Sequence, residues 1–218
     1  MHRNLALILL LTVAPRPALA EEAKPPDFSL LRIDVEDGFA LHPWIYHEFR
    51  LSQRWGIVGD VTFQTPGLNG RYPPFVELDV GPVLHLGDLQ INPEIGIDLV
   101  WKDAGEGGYT RAGDFILQLY LIYAWERLNI ESWNLYFIPF DGSAHFFQMR
   151  QLLTVRVAWE LSLGPHIEAT FVEGVGTDRF AVGGDLGYRF PWGQLVLFMA
   201  SERMRKVFEF RLTFLREL

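Results

Sequence analysis

The chain contains no cysteine, so neither a disulfide framework nor a cysteine-linked lipid anchor can hold it. Past the N-terminal residues, no apolar run approaches the roughly 20 residues that a membrane helix requires. Basic runs are missing too. Lys and Arg number 19 against 27 Asp and Glu, for a formal charge of −8, and this excludes the basic stripe of a nucleic-acid binder. No G-x-S-x-G nucleophile turn is present, and no spaced Asp-rich loop of the EF-hand kind. The glycines in 105–108 and 174–176 lack the strand-to-helix context of a phosphate cradle. No cofactor or metal is expected.

What is present begins with an export signal. His2 and Arg3 precede the apolar stretch Leu5 to Ala14, and Ala18-Leu19-Ala20 offers small residues to a signal peptidase. Cleavage is expected after Ala20, because ten apolar residues are too few to anchor the chain across a bilayer. Removing 20 residues from 218 leaves about 198, one domain of ordinary size. Residues 21–27 are polar with paired prolines, and the folded domain spans 28–218.

Within that domain the period is two. Leu89, Ile91, Pro93, Ile95, Ile97, Leu99 and Trp101 alternate with Gln90, Asn92, Glu94, Gly96, Asp98, Val100 and Lys102. A two-residue period puts successive side chains on opposite faces, which is the signature of a strand. In 147–163, Phe147, Met149, Leu153, Val155, Val157, Trp159 and Leu161 face one way; Gln148, Arg150, Thr154, Arg156, Glu160 and Ser162 face the other. Residues 55–65, 75–86 and 114–126 repeat the pattern, with fainter versions at 28–36, 43–52, 130–139, 165–173, 180–190, 194–201 and 206–214. The expected fold is all-β, a closed antiparallel up-and-down barrel of about twelve strands, or ten if the first two fail.

The connections alternate in length. Short ones fall at Ser52 to Trp55, Gly87-Asp88, Arg127 to Asn129, Gly164-Pro165 and Pro191 to Gly193. Longer polar ones fall at Asp37 to Pro43, Pro66 to Pro74, Asp103 to Gly113, Asp141 to His145 and Gly174 to Arg179, with Ser201 to Lys206 closing the series. Trp55, Tyr123, Trp125, Trp133, Trp159, Phe190 and Trp192 lie near the short turns, as an aromatic belt would. Trp101 precedes a long loop and is placed in the opposite belt.

With export signal, alternating strands, loop asymmetry and a closing strand carrying Phe208, Phe210, Leu212 and Phe214 in one phase, the chain resembles bacterial outer-membrane β-barrel proteins. The likeness is to an architecture, covers the domain throughout and points to no functional family. Such barrels usually end in an aromatic residue; here Leu218 holds the phase without the ring. The resemblance implies residence in the outer membrane of a Gram-negative bacterium, with 21–27 as a periplasmic lead-in. It also implies dealings with outer-membrane lipids and with the barrel-assembly machinery.

Apolar residues facing lipid leave the charged ones lining a lumen: Glu77, Asp79, Glu94, Asp98, Arg150, Arg156, Glu160, His166, Glu168, Asp185 and Arg189, in a set where acids outnumber bases. A two-residue hairpin at Gly87-Asp88 sets Glu77 opposite Asp98, with Asp79 and Glu94 diagonal to each other. A turn at Leu163 to Pro165 sets Glu160 opposite Glu168. His47 falls on the lipid side, where a slip of register is the simpler expectation. Several readings remain open: a small pore or transporter for polar or cationic solutes, a structural barrel with a plugged lumen, a lipid-modifying enzyme, or a soluble periplasmic lipid-binding barrel. The enzyme reading has histidines (His42, His47, His85, His145, His166) and serines (Ser52, Ser132, Ser143) but no motif joining them.

Overall fold

The computed structural model describes residues 25–36, 39–66, 68, 74–105, 108–158, 160–204 and 206–218, with the side chains of 102–112 and 158 left aside. The expected export signal, Trp159 and the Lys102 side chain lie outside that description. Twelve strands form: β1 (Phe28–Glu36), β2 (Leu41–Arg50), β3 (Trp55–Gln64), β4 (Phe75–Leu86), β5 (Leu89–Gly105), β6 (Gly108–Trp125), β7 (Leu128–Pro139), β8 (Phe146–Ala158), β9 (Leu161–Val172), β10 (Gly176–Phe190), β11 (Gly193–Glu202) and β12 (Val207–Glu217). Each pairs antiparallel with the next, and β1 pairs with β12, so the sheet closes on itself. Closure leaves no edge of unpaired backbone groups.

Alternation decides which side chain meets what. On β5, Ile95 is 53% and Ile97 42% exposed on the outside, while Glu94 and Asp98 are 4% and 6% exposed inside. A water-soluble barrel with an apolar interior would have the opposite arrangement, and that alternative is excluded. The outer surface carries Leu78, Val80, Leu117, Leu119, Leu186, Phe210 and Leu212. Its few polar residues bond among themselves: Gln151 donates to Asn134 and Asn134 to Ser132.

His47 points outward without any slip of register, because its neighbours Tyr46 and Glu48 are both buried inside. Its ring stands edge-on to Phe49 at 4.2 Å, and Nδ1 lies 2.6 Å from the Ser29 hydroxyl on β1. A neighbouring strand, invisible to a single-strand reading, satisfies its polar atoms.

Four local expectations are corrected. β8 runs to Ala158 and β9 starts at Leu161, so Gly164-Pro165 sits within β9. Leu163 pairs with Val155 and Arg156 with Ser162, so the chain reverses earlier than its Gly-Pro signal suggests. Pro165, with no N–H to give, and Gly164 make no ladder pair on the β8 side yet stay paired with Gly184 and Asp185 on β10, and the Cβ of any other residue at Gly164 would run into the Leu153 carbonyl. Second, Asp103 to Gly113 is mostly not a loop: β5 and β6 run on to Gly105 and Gly108, where a bulge absorbs a residue. Third, β10 starts at Gly176, which moves Arg179 from a loop onto a strand. Fourth, Trp133 is not in the belt. Trp55, Tyr123, Trp125 and Trp192 are exposed on the outside near the short turns, whereas Trp133 faces the lumen.

Replacing Ile95 by Arg tests the outward face. In lipid bilayers the barrel should lose about 2–4 kcal/mol of unfolding free energy, the cost of a guanidinium at the membrane midplane, read from reversible denaturation in liposomes.

Candidate functional site

Two features of the strand phase build the site. The charged inward residues of β3 to β6 are mainly acidic, and those of β1, β8, β10 and β12 bring arginines. Between them lies a cavity of about 740 Å³ that reaches the long-loop end, with Asp60, Glu77 and Asp98 on one side and Arg32, Arg150, Arg179 and Arg211 on the other.

The Gly87-Asp88 turn sets the acidic wall. Leu86 pairs with Leu89, so Glu77 falls opposite Asp98 and Asp79 opposite Gly96, between Glu94 and Asp98. On the other flank Asp79 faces Asp60. Trp44 Nε1 donates to Asp60 Oδ1 at 2.8 Å, and Gln118 donates to Glu94 at 3.0 Å. The Asp114 backbone N–H donates to Asp98 at 2.8 Å.

The opposite wall is knotted around one carboxylate. Glu168 meets Arg150, Arg179 and Arg211 at 2.7 Å each, and the His166 ring at 3.0 Å. His166 Nδ1 lies 2.9 Å from Asp185, and Arg179 also pairs with Glu209. Asp34 takes Arg32 at 2.9 Å and a hydrogen bond from the Thr213 hydroxyl. Guanidinium forks suit this work, since their fixed donors reach several carboxylate oxygens at once.

Beneath the cavity the lumen is filled. Trp133 on β7 takes the Arg32 guanidinium over its ring at 5.1 Å and that of Arg150 at 5.3 Å. Trp44 and Tyr120 pack against it at 5.4 and 4.9 Å. In a closed order of twelve, β1 and β7 stand diametrically opposed, so the Arg32–Trp133 contact spans the barrel. Lower still, Tyr46, Val58 and Val83 form a buried cluster. Asn92 and Gln90 on β5 both donate to the Tyr46 hydroxyl on β2. His85 and Arg50 close on Glu48 at 2.7 and 2.8 Å. The site is a charged cup above a packed floor.

Glu77, Asp79, Glu94 and Asp98 therefore come together, and Arg150, His166, Glu168 and Asp185 form a second group. Three expected lining residues do not join them. Glu160 is exposed in the β8–β9 turn, away from Glu168, which pairs with Arg150. Arg156 and Arg189 are exposed near the short-turn end, below the floor. Arg32, Asp34, Trp44, Tyr120, Trp133 and Arg179 were not anticipated. For Arg32 and Asp34 the signal was legible, since both alternate with Leu31, Ile33 and Val35. For Trp133 it was not: the outward Ser132 and Asn134 make both faces of β7 polar.

No family model matches the chain, and no curated protein does. Solved structures do. The KdgM porin superposes with a TM-score of 0.53 at 10% identity, covering 88% of this chain and 98% of that one. The NanC porin gives 0.52 at 10% identity, over 86% and 97%. The COG4313 outer membrane channel from Pseudomonas putida F1 gives 0.56 at 12% identity, over 94% and 100%. Fold and polar interior define the class: this is a twelve-stranded β-barrel of the outer-membrane type. At such identities the likeness extends to the architecture alone, and no individual porin lends its solute to this chain.

The Glu168→Gln variant should be strongly destabilised. Removing the shared carboxylate leaves three guanidinium groups facing one another, and breaking a buried ion pair in this way costs about 3–5 kcal/mol. Loss of heat-resistant mobility at a lower temperature than wild type is the measurement.

Proposed function

We propose that this chain resides in the bacterial outer membrane and is a narrow, cation-preferring route for small polar solutes, which enter the cup from the outside. The observation that carries this reading is the cup itself: a water-accessible, charged hollow inside an apolar exterior, with unbalanced carboxylates on one wall. Rings of Asp and Glu favour cations by raising their local concentration. Twelve strands support a lumen between the filled interior of an eight-stranded barrel and the open channel of a porin. The Trp133 layer is then the constriction, and passage requires its side chains to repack. The short-turn end, with Arg156 and Arg189, faces the periplasm, and outer-membrane lipids surround the apolar belt.

One observation favours a second reading, a structural barrel with a plugged lumen. The Arg32–Trp133 and Trp44–Trp133 contacts bridge the hollow at mid-height. An enzyme reading gains nothing comparable. Ser29 and His47 touch on the outer face, yet among the described residues no carboxylate or amide is bonded to that histidine to orient it.

Planar-bilayer recordings separate the two readings. Wild type should pass small, cation-selective currents. Replacing Glu77 by Gln together with Asp98 by Asn should bring the cation-to-anion permeability ratio severalfold toward unity. Trp133→Ala should raise conductance severalfold. A folded Trp133→Ala barrel that still passes no current establishes the plug instead.

A further inference from the structure

The lipid-facing surface carries a polar cluster at mid-height. β7 turns Ser132 and Asn134 outward and β8 turns Gln151 outward, since their neighbours Trp133 and Arg150 line the lumen cavity. Ser132 stands directly across the ladder from Gln151, with Leu121 on its other flank. β7 runs Leu128–Pro139, and Leu128 pairs with Trp125, the exposed tryptophan beside the short turn. A tilted strand climbs about 2.5 Å per residue, so Ser132 and Asn134 lie about 10 and 15 Å above that ring. The apolar band of such a barrel is about 25 Å tall, and the cluster therefore sits near its middle. Its internal bonds do not use it up. Gln151 donates one amide hydrogen to Asn134, and Asn134 donates to Ser132 and to the Leu119 carbonyl. Among the described residues, the Ser132 hydroxyl proton finds no acceptor, and the Gln151 carbonyl oxygen and second amide hydrogen find no partner.

Hydrocarbon offers those groups nothing, and neither water nor a lipid headgroup reaches that depth. A second protein surface does. We propose that two copies of this chain pair in the membrane along β7 and β8, about a two-fold axis passing between Ser132 and Gln151. Copies inserted the same way round are related by an axis along the membrane normal, so residues of like depth meet. That axis sets the Ser132 hydroxyl of each copy against the partner's Gln151, which offers both an acceptor and a donor. The surface is thus complementary to itself, as an isologous contact requires. Apolar area alone gives barrels no reason to associate in lipid, whereas polar side chains do. Leu119, Leu121, Ile130 and Leu153 surround the cluster and complete the contact. The other outward polar pair, Ser29 and His47, is bonded within itself and lies on β1 and β2, diametrically across the closed order. Contact between these two opposite patches would string barrels into an open row and could not close a pair. The pairing rests on membrane residence and goes beyond the transport reading, because each copy keeps its own lumen, open or plugged.

The test uses the intact barrel in phospholipid vesicles. The chain has no cysteine, so an introduced thiol reports on its own surroundings alone. Barrels carrying Ser132→Cys, mixed with barrels carrying Gln151→Cys and oxidised after insertion, should give covalent dimers. The outward-facing Ile33→Cys on β1, on the far side of the barrel, should give severalfold fewer. In density-matched micelles, sedimentation equilibrium of the wild type should show monomers and dimers only. Replacing the whole cluster, Ser132→Ala with Asn134→Leu and Gln151→Leu, leaves no orphaned group and should raise the dissociation constant by about tenfold or more. Heat-modifiable gel mobility of that variant should persist to at least the wild-type temperature, since apolar side chains suit the lipid face. A cluster that merely holds β7 to β8 would do the reverse, lowering that temperature and leaving association unchanged. Folded wild-type barrels that insert yet remain monomers overturn the pairing and leave membrane residence standing. Association that survives the triple variant, or that grows into rows, overturns the pairing as well. Wild-type barrels that fail to insert into vesicles overturn membrane residence and the pairing together.

Discussion

Closure of the sheet is the constraint from which the rest follows. Once β1 pairs with β12, every strand has two neighbours, and the only freedom left to a side chain is inside or outside. The outside takes the apolar set. Charged residues then have nowhere to go but a hollow of limited volume, where each must find a partner, water or an ion. The interior chemistry of this protein is the working-out of that confinement.

The two halves of the wall meet it differently. On the β8–β12 side, arginines and carboxylates are interleaved, and Glu168 serves as the common acceptor for three guanidinium groups. On the β3–β6 side, carboxylates face carboxylates, relieved in part by the Trp44 indole, the Gln118 amide and a backbone N–H. The knotted side contributes Arg150 to the floor, over the Trp133 ring. The carboxylate side borders the cavity. The two chemistries thus divide around the circumference, with Trp133 packed between them.

Local corrections follow the same physics. Gly164-Pro165 has the composition of a turn, yet it lies in a strand because Asp185 and Gly184 on β10 hold it in register, and the close Leu153 carbonyl on β8 leaves room only for glycine at 164. His47 has the composition of a lumen residue, yet it stands outside because Ser29 on the neighbouring strand satisfies it. In both cases the deciding partner is on another strand.

Strand number, meander order, the inward set on β4 and β5 and the Glu77–Asp98 pairing were all readable from the chain alone. Each depends on a period of two or on a two-residue turn, and these are properties of neighbours in sequence. Trp133 under Arg32, three arginines on Glu168, and Asp79 leaning over Gly96 opposite Asp60 were decided only by the closed barrel. Such contacts join strands remote in sequence, and the curvature of the whole sheet brings them within reach.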